Sequence, residues 1–183
     1  MNRLAYKFRL CVLISTALIA SCSGQSTPNN LTQGDVRFEL RPVVHPGTLH
    51  STKEDAMASL GGNVPPNLEI LKSNARTNGN TEQGWYVVEK TALVTASDLQ
   101  HTRPEPTTSG SGYQVAIKLN QNATEKFREW TKANMGAYVA VVLDGVVVSA
   151  AVVKSEISGG ERYINGAFTK EEAENLSAKL TRG

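Results

Sequence analysis

The sequence predicts an α+β fold with a mainly antiparallel sheet and two C-terminal helices packed on one face. Three observations predict it. Two β-branched, apolar runs meet at Asp144-Gly145, a pair that favours a type I′ hairpin turn because both of its positions need positive φ. One helical pattern precedes this hairpin and another follows it. From Tyr113 the predicted order is strand, helix, strand, strand, short strand, helix, which is most of a ferredoxin-like βαββαβ unit.

Both faces of this hairpin are predicted to be apolar. The two-residue loop pairs Leu143 with Val146, and the pairing then continues outward along the two strands. One face carries Val139, Val141, Leu143, Val146, Val148 and Ala150, and the other carries Tyr138, Ala140, Val142, Val147, Ser149 and Ala151. Strands that are apolar on both faces are typical of a sheet interior. The C-terminal helices cover one face, and residues before 112 cover the other or leave it open to a partner.

Residues 1–21 have the features of a bacterial lipoprotein signal peptide. Basic residues without any acidic residue precede an apolar run at 10–20 that is shorter than the about 20 residues needed to span a bilayer. The run ends in Ile19-Ala20-Ser21-Cys22, which resembles a lipobox. That resemblance implies cleavage before Cys22, a diacylglycerol on its sulfur and a fatty acyl chain such as palmitate on its amino group. The alternative is an ordinary secretory signal with Cys22 incidental.

Cysteine content and net charge agree with a signal at this end. Cys11 and Cys22 are the only cysteines, so the cleaved chain has no internal disulfide. The chain has 19 basic and 17 acidic residues; three of the basic residues precede Cys22, which leaves 16 against 17 and a net charge of −1. A charge so close to zero gives no electrostatic support for nucleic-acid binding.

The rest of the chain divides into a polar tether and one domain. Residues 22–34 are almost devoid of apolar side chains, which predicts a flexible tether, and residues 35–183 form the folded domain. Residues 36–41 alternate between apolar and charged, as in a half-buried strand, and Pro42 confines that strand to an edge or a terminus.

A short helix and a second strand follow, separated by loops. Ser51 is the expected N-cap of the helix, and Gly61-Gly62 closes it. Residues 63–84 are predicted to be mostly loop, residues 85–90 a strand, and residues 101–112 another loop because of their proline, serine and glycine content.

The helices of the C-terminal half are predicted from their caps and buried faces. Asn122 is the expected N-cap of the first, and Thr169 with its N3 glutamate forms a capping box at the start of the second. The buried faces are predicted to be Ala123, Phe127, Trp130 and Asn134 in the first helix, and Ala173, Leu176 and Leu180 in the second. Phe127 and Trp130 are interpreted as core anchors, and ligand stacking by Trp130 is the alternative.

Several short motifs occur in the order and spacing of a known family. They are FREWTKANMG at 127–136, VAVVLDG at 139–145, SA at 149–150, ISGG at 157–160, ING at 164–166, FTKEEA at 168–173 and LTRG at 180–183. This series resembles the end of the large extracytoplasmic domain of SecD, the accessory subunit of the Sec protein-export channel. The resemblance is strongest over 113–183 and looser over 36–90.

Together with the lipobox, the resemblance implies a lipid-anchored extracytoplasmic binding module that contacts exported or unfolded polypeptides, Sec components or other envelope proteins. In the family, membrane-embedded carboxylates couple translocation to the proton gradient, and we expect no such translocase activity from a chain that stops at Gly183. The expected location is the periplasmic face of the cell envelope, with the inner and the outer membrane both left open if the host is Gram-negative. The alternative function is a structural or interaction lipoprotein that uses the SecD-like fold to bind one partner. The oligomeric state is not predicted.

The sequence predicts no enzyme, no cofactor and no metal site. His45, His50 and His101 fall in predicted loops without the spacing of metal ligands or of a nucleophile and its base. Asp144 is explained by its turn. We expect binding through apolar surface or by strand addition along residues 113–119 or 85–89.

Overall fold

The computed structural model describes residues 36–44, 46–77, 80–108 and 112–181. The predicted signal peptide, the tether and His45 lie outside these residues. Within them the chain forms the following elements: β1 (Phe38–Val43), α1 (Lys53–Ala58), β2 (Leu68–Thr77), β3 (Asn80–Glu89), β4 (Val94–Thr95), β5 (Leu99–Pro106), β6 (Tyr113–Leu119), α2 (Gln121–Ala133), β7 (Tyr138–Leu143), β8 (Val146–Val152), β9 (Glu161–Phe168) and α3 (Lys170–Leu180). The predicted mixed α+β class is confirmed.

Five of these strands close into a small barrel. The β7 strand pairs antiparallel with both β8 and β1, and β2 pairs antiparallel with β3. Two short contacts complete the ring: Ser73 of β2 is the parallel partner of Val147 in β8, and Val43 of β1 is the antiparallel partner of Val88 in β3. The order around the barrel is therefore β1-β7-β8-β2-β3, with β4 added at the free part of β1.

Alternate side chains of the five strands fill the barrel. The apolar ones are Val43, Leu71, Tyr86, Val88, Ala140, Val142 and Val147. Paired residues on neighbouring strands share a face. Glu39, the partner of Val142, and Arg41, the partner of Ala140, therefore belong to the same interior, and both residues are buried. The barrel thus has an apolar core with one acidic and one basic side chain in it.

The remaining strands form a second sheet of order β5-β6-β9, which is antiparallel throughout. The α3 helix lies against it, and the Thr102 hydroxyl of β5 is 2.9 Å from the Ser177 carbonyl oxygen of α3. A second hydrophobic core joins this sheet and both long helices to the outer face of the barrel. Its fully buried members include Phe38, Leu40, Val115, Ile117, Phe127, Ile164 and Leu180.

The predicted hairpin turn is confirmed, but β8, the strand that follows it, contains a β-bulge. Asp144 has a φ of 49° and Gly145 one of 78°, as a type I′ turn requires. Past the first two pairs a β-bulge shifts the register, so that Val141 pairs with Ser149. A bulge adds a residue to one strand, and every residue beyond it changes face. The predicted faces of Ser149, Ala150 and Ala151 were therefore wrong.

The single ferredoxin-like sheet is not confirmed. The hairpin of β7 and β8 belongs to the barrel, whereas β6 and β9 pair with each other in the second sheet. Residues 63–84, predicted to be mostly loop, contain β2 and the first half of β3, which close the barrel around one face of the hairpin. Residues 101–112 contain most of β5, whose Pro104 and Pro106 are tolerated because β5 is an edge strand.

Helix boundaries differ from prediction by one or two residues. The N-cap of α1 is Thr52 in place of Ser51, and that of α2 is Asn120 in place of Asn122. The side chains of Thr52 and Asn120 each accept a hydrogen bond from the backbone N–H three residues later. The capping box of α3 is confirmed: the Thr169 hydroxyl accepts from the N3 backbone N–H at 3.2 Å, and the N3 carboxylate accepts from the Thr169 N–H at 2.8 Å.

Candidate binding cleft

An apolar cleft with a volume of about 160 Å³ lies between β8 and β9. Its floor belongs to the core that joins the barrel to the second sheet and includes Ile117, Phe127 and Ile164. Ser149 and Ala151 of β8 form one rim. These small side chains lie on this side of β8 because of the bulge, and their size leaves the space open.

Beside the cleft, β9 and the part of β8 beyond Val147 each have an edge without a strand partner in the described residues. The β9 strand pairs with β6 only. The β8 strand pairs with β7 along its length, but with β2 only at Val147. Unpaired edges present backbone N–H and C=O groups to any extended chain that approaches them.

Helix α2 supports one end of the cleft. Phe127 is buried at 3% exposure, which confirms its prediction as a core anchor, and Trp130 packs against the same core. Thr131, one turn after Phe127, is fully buried; its hydroxyl donates to the Arg128 carbonyl and accepts from the Ile157 N–H at 3.1 Å. This contact fixes the segment after β8 against the helix. Thr131 lies one helical turn after Phe127, and this spacing predicts that it is buried on the same face. The sequence analysis missed this signal.

One cation lies in the lining of the cleft. The Arg162 guanidinium lies over the Phe127 ring, 5.3 Å from its centroid, and donates to the Ile157 carbonyl at 3.2 Å and the Glu161 carbonyl at 2.5 Å. Its Nε atom is buried without a hydrogen-bond partner in the described part of the chain. Burial lowers the pKa of Arg162. The sequence analysis gave Arg162 no role.

The structure keeps the other sequence candidates apart. His50 forms an isolated bridge with Trp85, and His101 lies exposed on β5; they line different small pockets. Asp144 lies in its turn, and Cys22 is outside the described residues. The described ranges contain no group of three or more His, Cys, Asp or Glu residues positioned to bind a metal.

The predicted places for strand addition were wrong. Residues 113–119 form β6, the central strand of the second sheet, whose two edges pair with β5 and β9. Residues 85–89 pair with β2 on one edge, and on the other edge Val88 meets Val43 and Trp85 meets His50. The edges with unpaired groups near an apolar surface are instead those of β8 and β9.

Residues 69–183, more than half of the chain, match the family model of the SecDF P1 head subdomain. The chain belongs to this family. The matched range runs from β2 to the end and includes β8, β9 and α2 around the cleft. The resemblance to SecD found in the sequence is thereby confirmed.

Curated relatives include the protein translocase subunit SecD of Rhodobacter capsulatus, 32% identical over 119 residues that cover 64% of this chain and 21% of the relative. SecD of Aquifex aeolicus is 36% identical over 120 residues, which cover 66% and 22% of the two chains. The chain therefore spans about a fifth of the length of these relatives.

Solved structures of SecDF share the fold. A structure of SecDF, a membrane component that enhances protein export, superposes with a TM-score of 0.56 at 24% identity, over 82% of this chain and 64% of that one. A crystal structure of SecDF in a super-membrane-facing form gives a TM-score of 0.56 at 25% identity, over 82% and 19%. No helix in the described ranges combines the length and the apolar character needed to cross a bilayer.

Proposed function

We propose that this chain is a lipid-anchored, extracytoplasmic module that binds exported or unfolded polypeptides in extended form at the cleft between β8 and β9. The observation that carries the proposal is the pair of unpaired strand edges beside an apolar cleft, in a member of the SecDF P1 head family. The proposal concerns binding and does not include proton-driven transport.

Strand addition suits a protein that binds polypeptides of many different sequences. Main-chain hydrogen bonds to a sheet edge do not depend on the side chains of the ligand, and every second side chain of an added strand points to the same face. A floor that includes Ile117, Phe127 and Ile164 offers an apolar surface to the side chains of a bound strand. Exported chains expose such side chains before they fold. The relatives are protein translocase subunits, which supports the assignment of this role.

The proposal places the module at the envelope through Cys22. Lipid on this residue and the polar tether at 22–34 hold the domain outside the cytoplasmic membrane. Two acyl chains or more give stable anchoring, whereas one gives marginal binding. Partners are then the membrane, exported chains and the Sec components or envelope proteins that handle them.

Site-specific photocrosslinking in intact cells tests the binding site. A photoreactive amino acid at Ala151, which is exposed on the rim, is expected to label many exported proteins during synthesis. The matched control is the same amino acid at Met57, which is 39% exposed on α1 and does not line the cleft. Equal labelling at both positions would refute the cleft as the site. A single folded envelope protein crosslinked at Ala151 would support the interaction lipoprotein in place of this proposal.

A further inference from the structure

Arg162 differs from the other arginines whose side chains the structure describes. Those four form ion pairs with glutamates: Arg37 with Glu39, Arg41 with Glu39 and Glu69, Arg103 with Glu105 and Glu161, and Arg128 with Glu125 and Glu156. Arg162 hydrogen-bonds to backbone carbonyl oxygens, with no carboxylate partner among the described residues. A cation in the cleft lining is therefore left without a counter-charge.

Because Arg162 is partly buried, the lack of a counter-charge destabilises the folded chain. The guanidinium is half-buried against Phe127, and its Nε–H has lost water without gaining an acceptor. A buried donor without an acceptor and a desolvated charge without a partner both destabilise the state that contains them. A carboxylate from outside the chain would supply the charge that the fold does not.

We propose that Arg162 anchors a carboxylate side chain of the bound polypeptide, so that the cleft prefers extended segments with one Asp or Glu among apolar residues. This inference rests on the proposed function and adds a chemical preference to it. Arginine suits this role because its planar guanidinium donates two hydrogen bonds in parallel to one carboxylate. A strand laid along β9 runs past Arg162 and presents alternate side chains to the floor, so the carboxylate belongs to an internal side chain.

Three short peptides measure the preference, and the second differs from each of the other two in one group. Each alternates valine and serine; the first has blocked ends and a central glutamate, the second has blocked ends and a central glutamine, and the third has the glutamine with a free C-terminal carboxylate. Binding to the purified full chain is followed by fluorescence anisotropy. We expect the glutamate peptide to bind about tenfold more tightly than the blocked glutamine peptide, the usual gain from a charged hydrogen bond.

Two arginine variants locate the effect. Arg162→Gln is expected to bind both blocked peptides equally, with the affinity that the wild type shows for the glutamine peptide. The matched control is Arg103→Gln, which removes the same charge from β5, the other edge strand of this sheet, outside the cleft lining and should keep the tenfold preference. If Arg162→Gln does not fold, Arg162→Lys replaces it and should retain only part of the preference, because an ammonium lacks the planar pair of donors.

The outcomes separate the two proposals. Equal binding of both blocked peptides to the wild type overturns the role of Arg162 and leaves strand addition intact. If the third peptide binds more tightly than the glutamate peptide, Arg162 binds a C-terminal carboxylate, and the assignment to an internal side chain is overturned. No binding of any peptide overturns strand addition and the preference together.

Discussion

Asp144, in the turn between β7 and β8, is hydrogen-bonded to Arg37 at the beginning of β1. Its Oδ1 atom accepts from the Arg37 N–H at 2.9 Å, and its own N–H donates to the Arg37 carbonyl at 2.9 Å. The same residue has the positive φ of the turn, which Asp and Asn tolerate better than other side chains. One turn residue thus joins the hairpin to a strand 107 residues earlier.

Replacement of Asp144 by alanine should therefore destabilise the barrel. Asp144→Ala loses the acceptor for the Arg37 N–H and adds strain at positive φ, and we expect the free energy of unfolding to fall by about 1–2 kcal/mol. Asp144→Asn is the control, because it keeps a side-chain oxygen and tolerates the same φ. Urea unfolding measures both variants. If the two lose the same stability, the hydrogen bond and the backbone conformation are not the cause.

The sequence predicted local structure better than the assembly of the strands. The turn at Asp144-Gly145 depends on two adjacent residues, so its chemistry is visible in the sequence. The closure of the barrel depends on contacts between distant strands, Ser73 with Val147 and Val43 with Val88, which no local pattern encodes. The bulge was missed because pairing outward from the turn assumes equal numbers of residues in the two strands, and β8 has one more.

The candidate site shows the same limit. Phe127 was predicted to be buried because helical spacing alone indicates its face. The character of Arg162 depends on groups that two other segments bring to it: the Phe127 ring of α2 and the Ile157 carbonyl after β8. Alternation with Ile164 places Arg162 on the inner face of β9, but only the structure shows that no carboxylate in the described residues meets it.

Lipid attachment at Cys22 remains a prediction of the sequence. Cys22→Ala should release the protein from the membrane fraction, because the thiol that receives the diacylglycerol is lost. Cys11→Ala is the matched control: it removes a thiol from the apolar run that is cleaved away, so that fractionation should be unchanged. Cell fractionation and metabolic labelling with a fatty acid give the readout. Wild-type membrane association of Cys22→Ala would refute the lipoprotein assignment.

Tyr86 should make stability depend on alkaline pH. Burial in the barrel raises the pKa of Tyr86 above the ordinary value of 10.0, and Glu82 and Tyr138 raise it further. The unfolded chain therefore loses this proton at lower pH than the folded chain. The stabilisation from Tyr86 is complete below pH 10 and is lost as the pH rises through the folded pKa.

The comparison that isolates this effect is Tyr86→Phe. We expect the urea midpoint of the wild type to fall more steeply above pH 10 than that of Tyr86→Phe, which has no proton to lose at this position. The phenolate absorbance of the folded wild type should rise at higher pH than that of the unfolded chain. Parallel pH profiles for the two proteins would show that the Tyr86 hydroxyl does not titrate differently on folding.

Arg41 is a deeply buried charge in the barrel. Its side chain is 4% exposed; its Nη1 atom donates to Glu69 at 2.6 Å, and its Nε atom lies 3.1 Å from a carboxylate oxygen of Glu39, without the geometry of a hydrogen bond. The Glu39 side chain is 11% exposed, so that loss of Arg41 leaves a buried carboxylate whose remaining ion-pair partner in the described residues is the exposed Arg37.

We therefore expect Arg41→Met to lower the free energy of unfolding by about 3–5 kcal/mol, the usual cost of removing one partner from a buried ion pair. Arg103→Met is the control, since Arg103 is 43% exposed and exposed ion pairs contribute little to stability. Addition of Glu39→Gln to Arg41→Met should recover part of the loss, because the unpaired charge is then gone. Urea unfolding of the wild type and these three variants measures the loss and its recovery. If Glu39→Gln gives no recovery, the stability lost in Arg41→Met comes from lost packing of the arginine side chain and not from the unpaired Glu39 carboxylate.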